Sequence, residues 1–123
     1  MNRRRQAMAM AMANFGETVG FMVVMGVGLV AILVAAVVNA LAWIAVLRRP
    51  HPLSWTFVAL VLIADAAHVG VSVEVLRPFM AEFGASTYVL IFFPLAEAIA
   101  TLTVIVLALR QCRAAALDLE PDA

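Results

Sequence analysis

The chain has 123 residues, of which 66% are hydrophobic and only 13% charged, with a formal net charge of zero. Ordinary globular domains run at about 45–50% apolar and about 25% charged residues, so a water-soluble fold is excluded and lipid is the expected solvent. The basic residues are all arginines in small groups, which argues against a nucleic-acid-binding face.

Met1 to Thr18 opens the chain with Arg3-Arg4-Arg5 and alternating Ala and Met, an extension expected to be disordered or to form an interfacial helix. Three long apolar runs follow, over 19–47, 53–76 and 88–109, and residues 110–123 form a polar tail. Each run exceeds the ~20 residues that carry a helix across ~30 Å of hydrocarbon. They are too long for single strands, and three strands could not close a barrel that satisfies its own edges. The first run is also longer than the apolar core of about 7–15 residues found in signal peptides. The expected fold class is therefore all-α: an integral membrane protein with three transmembrane helices packed as a small bundle.

Arg48-Arg49-Pro50-His51-Pro52 ends the first run and Arg77-Pro78 the second, because proline stops helix continuation. Trp43, Trp55 and Tyr88 lie near the ends of their runs, where amphipathic rings favour the headgroup level. Pro94 falls inside the third run and predicts a kink or a later helix start. With the N-terminus outside, Arg48, Arg49, Arg110 and Arg113 are cytoplasmic, while Arg3, Arg4, Arg5 and Arg77 lie outside. The first four hug helix ends and the triple arginine does not, so N-out, C-in is the expected orientation.

Polar groups at membrane depth are the candidate site. At a rise of ~1.5 Å per residue, Asp65 lies ~15 Å and His68 ~20 Å from a boundary near Trp55, Glu97 ~18 Å from Leu109 and Asn39 ~12 Å from Leu47. A charge at that depth costs at least ~2.5–3.5 kcal/mol, so these groups are expected to face other helices, a partner or water. Asp65, His68 and Ser72 share one stripe of the second helix, and Glu97 and Thr101 share one of the third. A contact between those two stripes is the natural arrangement. Ala31 and Ala35 lead to Asn39 on one face, and Ala66 to Gly70 repeats the pattern, as in close helix packing. Glu74 and Arg77, one turn apart, suit a surface ion pair.

Two readings of the buried groups stay open. Either they are hydrogen-bonded glue between helices, with a carboxyl held neutral by burial, or Asp65, His68, Glu97 and Asn39 form a proton or cation relay. Metal is a weaker reading, in which Asp65 and His68 supply two ligands and Glu97 a third. Haem is disfavoured because only one histidine, His68, lies inside a run. Met8, Met10 and Met12 suit Cu(I) but equally an apolar tail, and no cofactor is expected. The single cysteine, Cys112, rules out an internal disulfide and leaves only reversible acylation as a special role. Neither a nucleophile elbow nor a phosphate loop, a metalloprotease motif or a dinucleotide fingerprint is present, so catalysis by this chain alone is not expected.

The segment Leu95-Ala96-Glu97-Ala98-Ile99-Ala100-Thr101-Leu102, the arginines after it and the Arg48-Arg49 pair resemble the small K subunit of the membrane arm of bacterial complex I. Relatives of that subunit occur in cation antiporters and membrane-bound hydrogenases. The resemblance implies three helices, N-out and C-in, with Glu97 as a proton-relay carboxylate and Asp65 near the place of the second-helix acid. It departs in having Asp for Glu there, further from the arginine pair, in the N-terminal extension and in His68. The expected partners are membrane lipids and other integral membrane subunits or further copies of the chain. The expected location is a bacterial or archaeal cytoplasmic membrane. A membrane sensor or small-ligand-binding module is a third possibility.

Overall fold

Alanine, methionine and leucine are strong helix formers, and they dominate the first third of the chain. In a computed structural model that describes residues 2–119, this third forms one unbroken helix, α1 (Arg3–Arg48). Asn2 caps it, its side-chain oxygen accepting from the Arg4 amide at 3.3 Å. In place of a disordered or separately lying extension, residues from Arg3 onward are helical and continuous with the first apolar run. No proline interrupts them, and the Ala-Met alternation favours helix at every position.

The Arg49–His51 connector turns the chain. His51 caps α2 (Pro52–Leu76), its Nδ1 accepting from the Leu53 amide at 3.2 Å, and Pro52 takes the first helical position, where its missing amide hydrogen costs nothing. Arg77-Pro78-Phe79 tightens into a 3₁₀ turn, followed by a single-turn helix, α3 (Met80–Phe83). Gly84, at φ +47° and ψ −118°, then reverses the chain in a conformation that a side chain strongly disfavours. The last helix, α4 (Ala85–Leu119), starts before and ends well after the third apolar run. The expected polar tail is thus helical through Leu119, and its last residues, 120–123, lie outside the described part. Pro94 sits inside α4, buried, and deprives the Leu90 carbonyl of its intrahelical donor.

The three long helices contact one another pairwise. Each is long and apolar enough to cross a membrane. Their lipid-facing sides remain apolar, as exposed Leu33, Leu60, Ile63 and Phe92 illustrate. Packing inside falls into two apolar clusters. Ala42, Val46, Val58, Val61 and Ala108 form one towards the Arg49–His51 connector, flanked by Trp55 and Phe57. Ile32, Leu76 and Leu90 form the other, nearer the Arg77–Gly84 connector. There Phe21 stacks on Phe83 at 3.8 Å, with Phe79 tilted against both.

The close helix approach is not where the small-residue pattern places it. Ala66 and Gly70 are exposed, and nothing comes within 4 Å of a Cβ built on Gly70. Gly28 is the tight point instead, since a Cβ there would meet Leu90 at 2.8 Å. The exposed Arg77–Glu74 ion pair, 2.8 Å long, ends α2 as its spacing suggests.

A buried polar centre joining three helices

Between the two apolar clusters, one polar side chain from each long helix converges. Asn39 on α1, Asp65 on α2 and Thr101 on α4 are all almost completely buried. The Asn39 amide donates to Asp65 Oδ1 at 2.9 Å and to the Ala35 carbonyl at 2.8 Å. Thr101 Oγ1 lies 2.8 Å from Asn39 Oδ1, 2.9 Å from the Glu97 carbonyl and 3.1 Å from Asp65 Oδ2, all acceptors for its one hydroxyl hydrogen. Trp43 Nε1, one turn beyond Asn39, donates into Thr101 Oγ1 at 3.0 Å.

The local reasons are visible in sequence. Asn39 and Trp43 are four apart and so share a face of α1, as Glu97 and Thr101 do on α4. The expected contact between the second and third helices is present as the Asp65–Thr101 bond, and Asn39 reaches the same level from α1. Trp43 was expected at the headgroup level. Its indole N–H is committed to Thr101 instead, because a buried indole needs an acceptor and the threonine hydroxyl is the one in reach.

Count the hydrogens available to this centre. Both amide hydrogens of Asn39 are used, and the indole hydrogen of Trp43 occupies a lone pair of Thr101. One hydroxyl hydrogen is left for Asn39 Oδ1 and Asp65 Oδ2 together. The ring is one donor short.

The remaining candidates stand apart from this ring. His68 is half-buried and lines, with Asn39 and Asp65, a groove of about 460 Å³ between α1 and α2. Ser72, on the same stripe, lines a different cavity of about 280 Å³ bounded by Gly28, Leu76 and Leu90. Seven residues are nearly two full turns, so Ser72 keeps the direction of Asp65 but lies about 10 Å further along the bundle. Glu97 is half-buried, one turn before Thr101 on α4. Its Oε2 is shielded and has no hydrogen-bond partner among the described residues.

A three-ligand metal site does not form from these groups. Among the described residues no three His, Cys, Asp or Glu side chains converge to hold an ion, so Asp65, His68 and Glu97 do not act together as ligands here. Cys112 is half-buried beside Val46, Leu47 and Pro50 at the foot of α4.

No protein-family model, curated protein or solved structure matches this chain.

Proposed function

We propose that this chain is a small integral membrane subunit of a larger assembly, in which Asp65 and Glu97 take part in moving a proton. The observation that carries the reading is the missing donor at the centre. A proton placed on Asp65 Oδ2 would donate to Thr101, release the threonine hydroxyl to Asn39, and complete a closed ring of hydrogen bonds. A site that is one donor short and completed by one proton has the composition of a relay station. Glu97, one turn from Thr101 and with an unpartnered Oε2, supplies a second carboxyl for exchange. His68 at the α1–α2 groove is the third titratable group in the neighbourhood.

What lies above and below the centre supports membership of an assembly. Apolar clusters flank the centre on both sides, so a proton needs entry and exit from a neighbouring chain. This extends the resemblance to K subunits, in which other membrane subunits complete the path.

The second reading, interhelical glue, is favoured by the same enclosure: three helices meet at one polar point that is sealed by apolar side chains. One substitution separates the two. Asparagine at position 65 can accept from Asn39 and donate to Thr101, so Asp65→Asn keeps the ring but cannot release a proton. The experiment is to isolate the assembly from native membranes in mild detergent, reconstitute it in liposomes and follow proton uptake with an internal pH dye. Relay predicts that Asp65→Asn and Glu97→Gln assemble in normal yield and lose uptake. Glue predicts normal uptake with Asp65→Asn, and loss of assembly with an apolar residue at that position.

A further inference from the structure

Helix α1 is 46 residues long, about 69 Å at the α-helical rise, and therefore more than twice the hydrocarbon thickness of a bilayer. Its first turns stand clear of the bundle. Every described residue before Gly20 is exposed, and contacts with the rest of the chain begin only at Glu17, which neighbours Glu82, and at the Phe21–Phe83 stack. Large apolar side chains on these turns, Met8, Met12 and Phe15 among them, are left uncovered by the rest of the chain, so the stalk needs a neighbour.

The pattern on α1 says which side the neighbour takes. Met8, Phe15, Met22 and Leu29 recur every seven residues, and Met12, Val19, Gly26 and Leu33 recur every seven residues four positions on. Together they make an a/d seam sustained over more than three heptads, the length at which such a repeat signals a helix pair. The seam is outside the bundle: Met8, Phe15, Met22 and Leu33 are 67%, 72%, 66% and 67% exposed.

The face that α1 turns to its own bundle is a separate seam carrying Phe21, Met25, Gly28, Ile32, Ala35 and Asn39. Continued into the stalk, that inner seam reads Thr18, Asn14, Ala11, polar or small. The apolar stripe of the stalk is thus rotated by one residue, roughly 100°, from the face the bundle occupies.

We propose that α1 pairs in parallel with α1 of a second copy of this chain along the Met8–Leu33 seam. Lipid can cover only the part of the seam that lies in the membrane. The stalk cannot fold down onto the surface, because α1 runs through residues 3–48 without a break. A partner must therefore run beside α1 both inside and beyond the bilayer. A second copy does so by construction, since identical topology sets the two helices parallel and presents the same seam across a two-fold axis. The flanking positions fit close approach. Ala9 and Gly16 lie on one side of the seam and Ala11 and Thr18 on the other, all small, while Asn14 and Glu17 lie on other faces. The nearest a Cβ on Gly16 would come to any other element is beyond 4 Å, leaving its surface free for the partner.

The test is disulfide trapping in native membranes, with Cys112→Ser as background. Phe15→Cys and Met8→Cys, both at d positions where parallel helices bring Cβ atoms together, are expected to give predominantly a cross-linked species of twice the chain mass. Met10→Cys and Glu17→Cys, on the opposite side of the stalk, are expected to remain monomeric under the same oxidation. Equal trapping at all four positions overturns the seam, and so does no trapping at any of them in protein shown to be membrane-inserted. An adduct whose mass is that of this chain plus a different protein overturns the choice of partner. As a second readout, Phe15→Arg is expected to shift the detergent-solubilised species from dimer to monomer while leaving insertion unchanged.

Discussion

The two ends of the bundle are built differently. Towards the Arg49–His51 connector, alanines and valines from all three long helices interlock around Ala42 and Ala108, and the hydrogen-bonded centre lies directly beside them. Towards the Arg77–Gly84 connector Ile32, Leu76 and Leu90 pack together beside a cavity of about 280 Å³ bounded by Gly28, Ser72 and Leu90, with the phenylalanine stack closing the end. In lipid, burying apolar surface against another helix gains little over burying it against acyl chains, so close packing and polar bonds decide where helices hold together. One end has both, and the other has one close approach, Gly28 to Leu90, and aromatic contact. The difference teaches that the polar centre is the pivot of the bundle's hydrogen bonding, while the opposite end is held by apolar contact alone.

The strongest way to break the comparison is to dismantle the pivot. Thr101→Val leaves Asn39 Oδ1, Asp65 Oδ2 and the Trp43 indole N–H without their shared partner. One hydroxyl hydrogen serves the two oxygens, so two bonds are lost, and a loss of about 2–6 kcal/mol of bundle stability is expected at roughly 1–3 kcal/mol per stranded buried group, read from detergent-induced unfolding. A change below 1 kcal/mol would mean that lipid or another chain already satisfies these groups.

At the opposite end, Gly84→Ala places a side chain at positive φ and is expected to cost about 1–2 kcal/mol. Smaller again is the contrast between two helical glycines. Gly28→Ala pushes against Leu90 and is expected to be neutral to destabilising, by up to about 1 kcal/mol, whereas Gly70→Ala meets open space and gains up to about 1 kcal/mol of helix propensity. The same unfolding assay, run on both, sharpens the comparison because the signs are opposite.

The smallest effect concerns pH. Glu82 lies in α3, beyond the second apolar run, and the neighbouring Glu17 carboxylate holds its carboxyl above the usual glutamate range. A raised value in the folded state means that stability is fully present below the ordinary glutamate pKa and declines as pH rises through the raised one. This end of the bundle is therefore expected to loosen slightly as pH rises above the ordinary glutamate range, and Glu82→Gln should abolish that slope. Cysteine accessibility at Val75→Cys across the pH range checks it; a slope that survives Glu82→Gln would place its cause elsewhere.

Much of this architecture is legible in the residues. The three runs and their Arg-Pro endings mark the helices, and depth counting puts Asn39, Asp65 and Glu97 near one level. Asp65 and Thr101 do meet, as their stripes suggest. Rotation is what the residues conceal. A helix apolar on every side gives no period from which to tell the inward face, so only polar side chains mark it, and they do so at single points. That is why Asn39 is informative while Ala66 and Gly70 mislead, and why Gly28, with no polar neighbour to flag it, escapes notice. Trp43 is hidden for another reason: an indole near a run's end suits the headgroup region and the interior alike, and only the position of Thr101 decides.

The unbroken course of α1 has a mechanical meaning. From Asn39 to Arg3 the rod measures about 54 Å, so a tilt of about 10° at the centre moves its tip by about 9 Å. Any tilt set at the buried Asn39 is thereby magnified at the exposed far end of a lever.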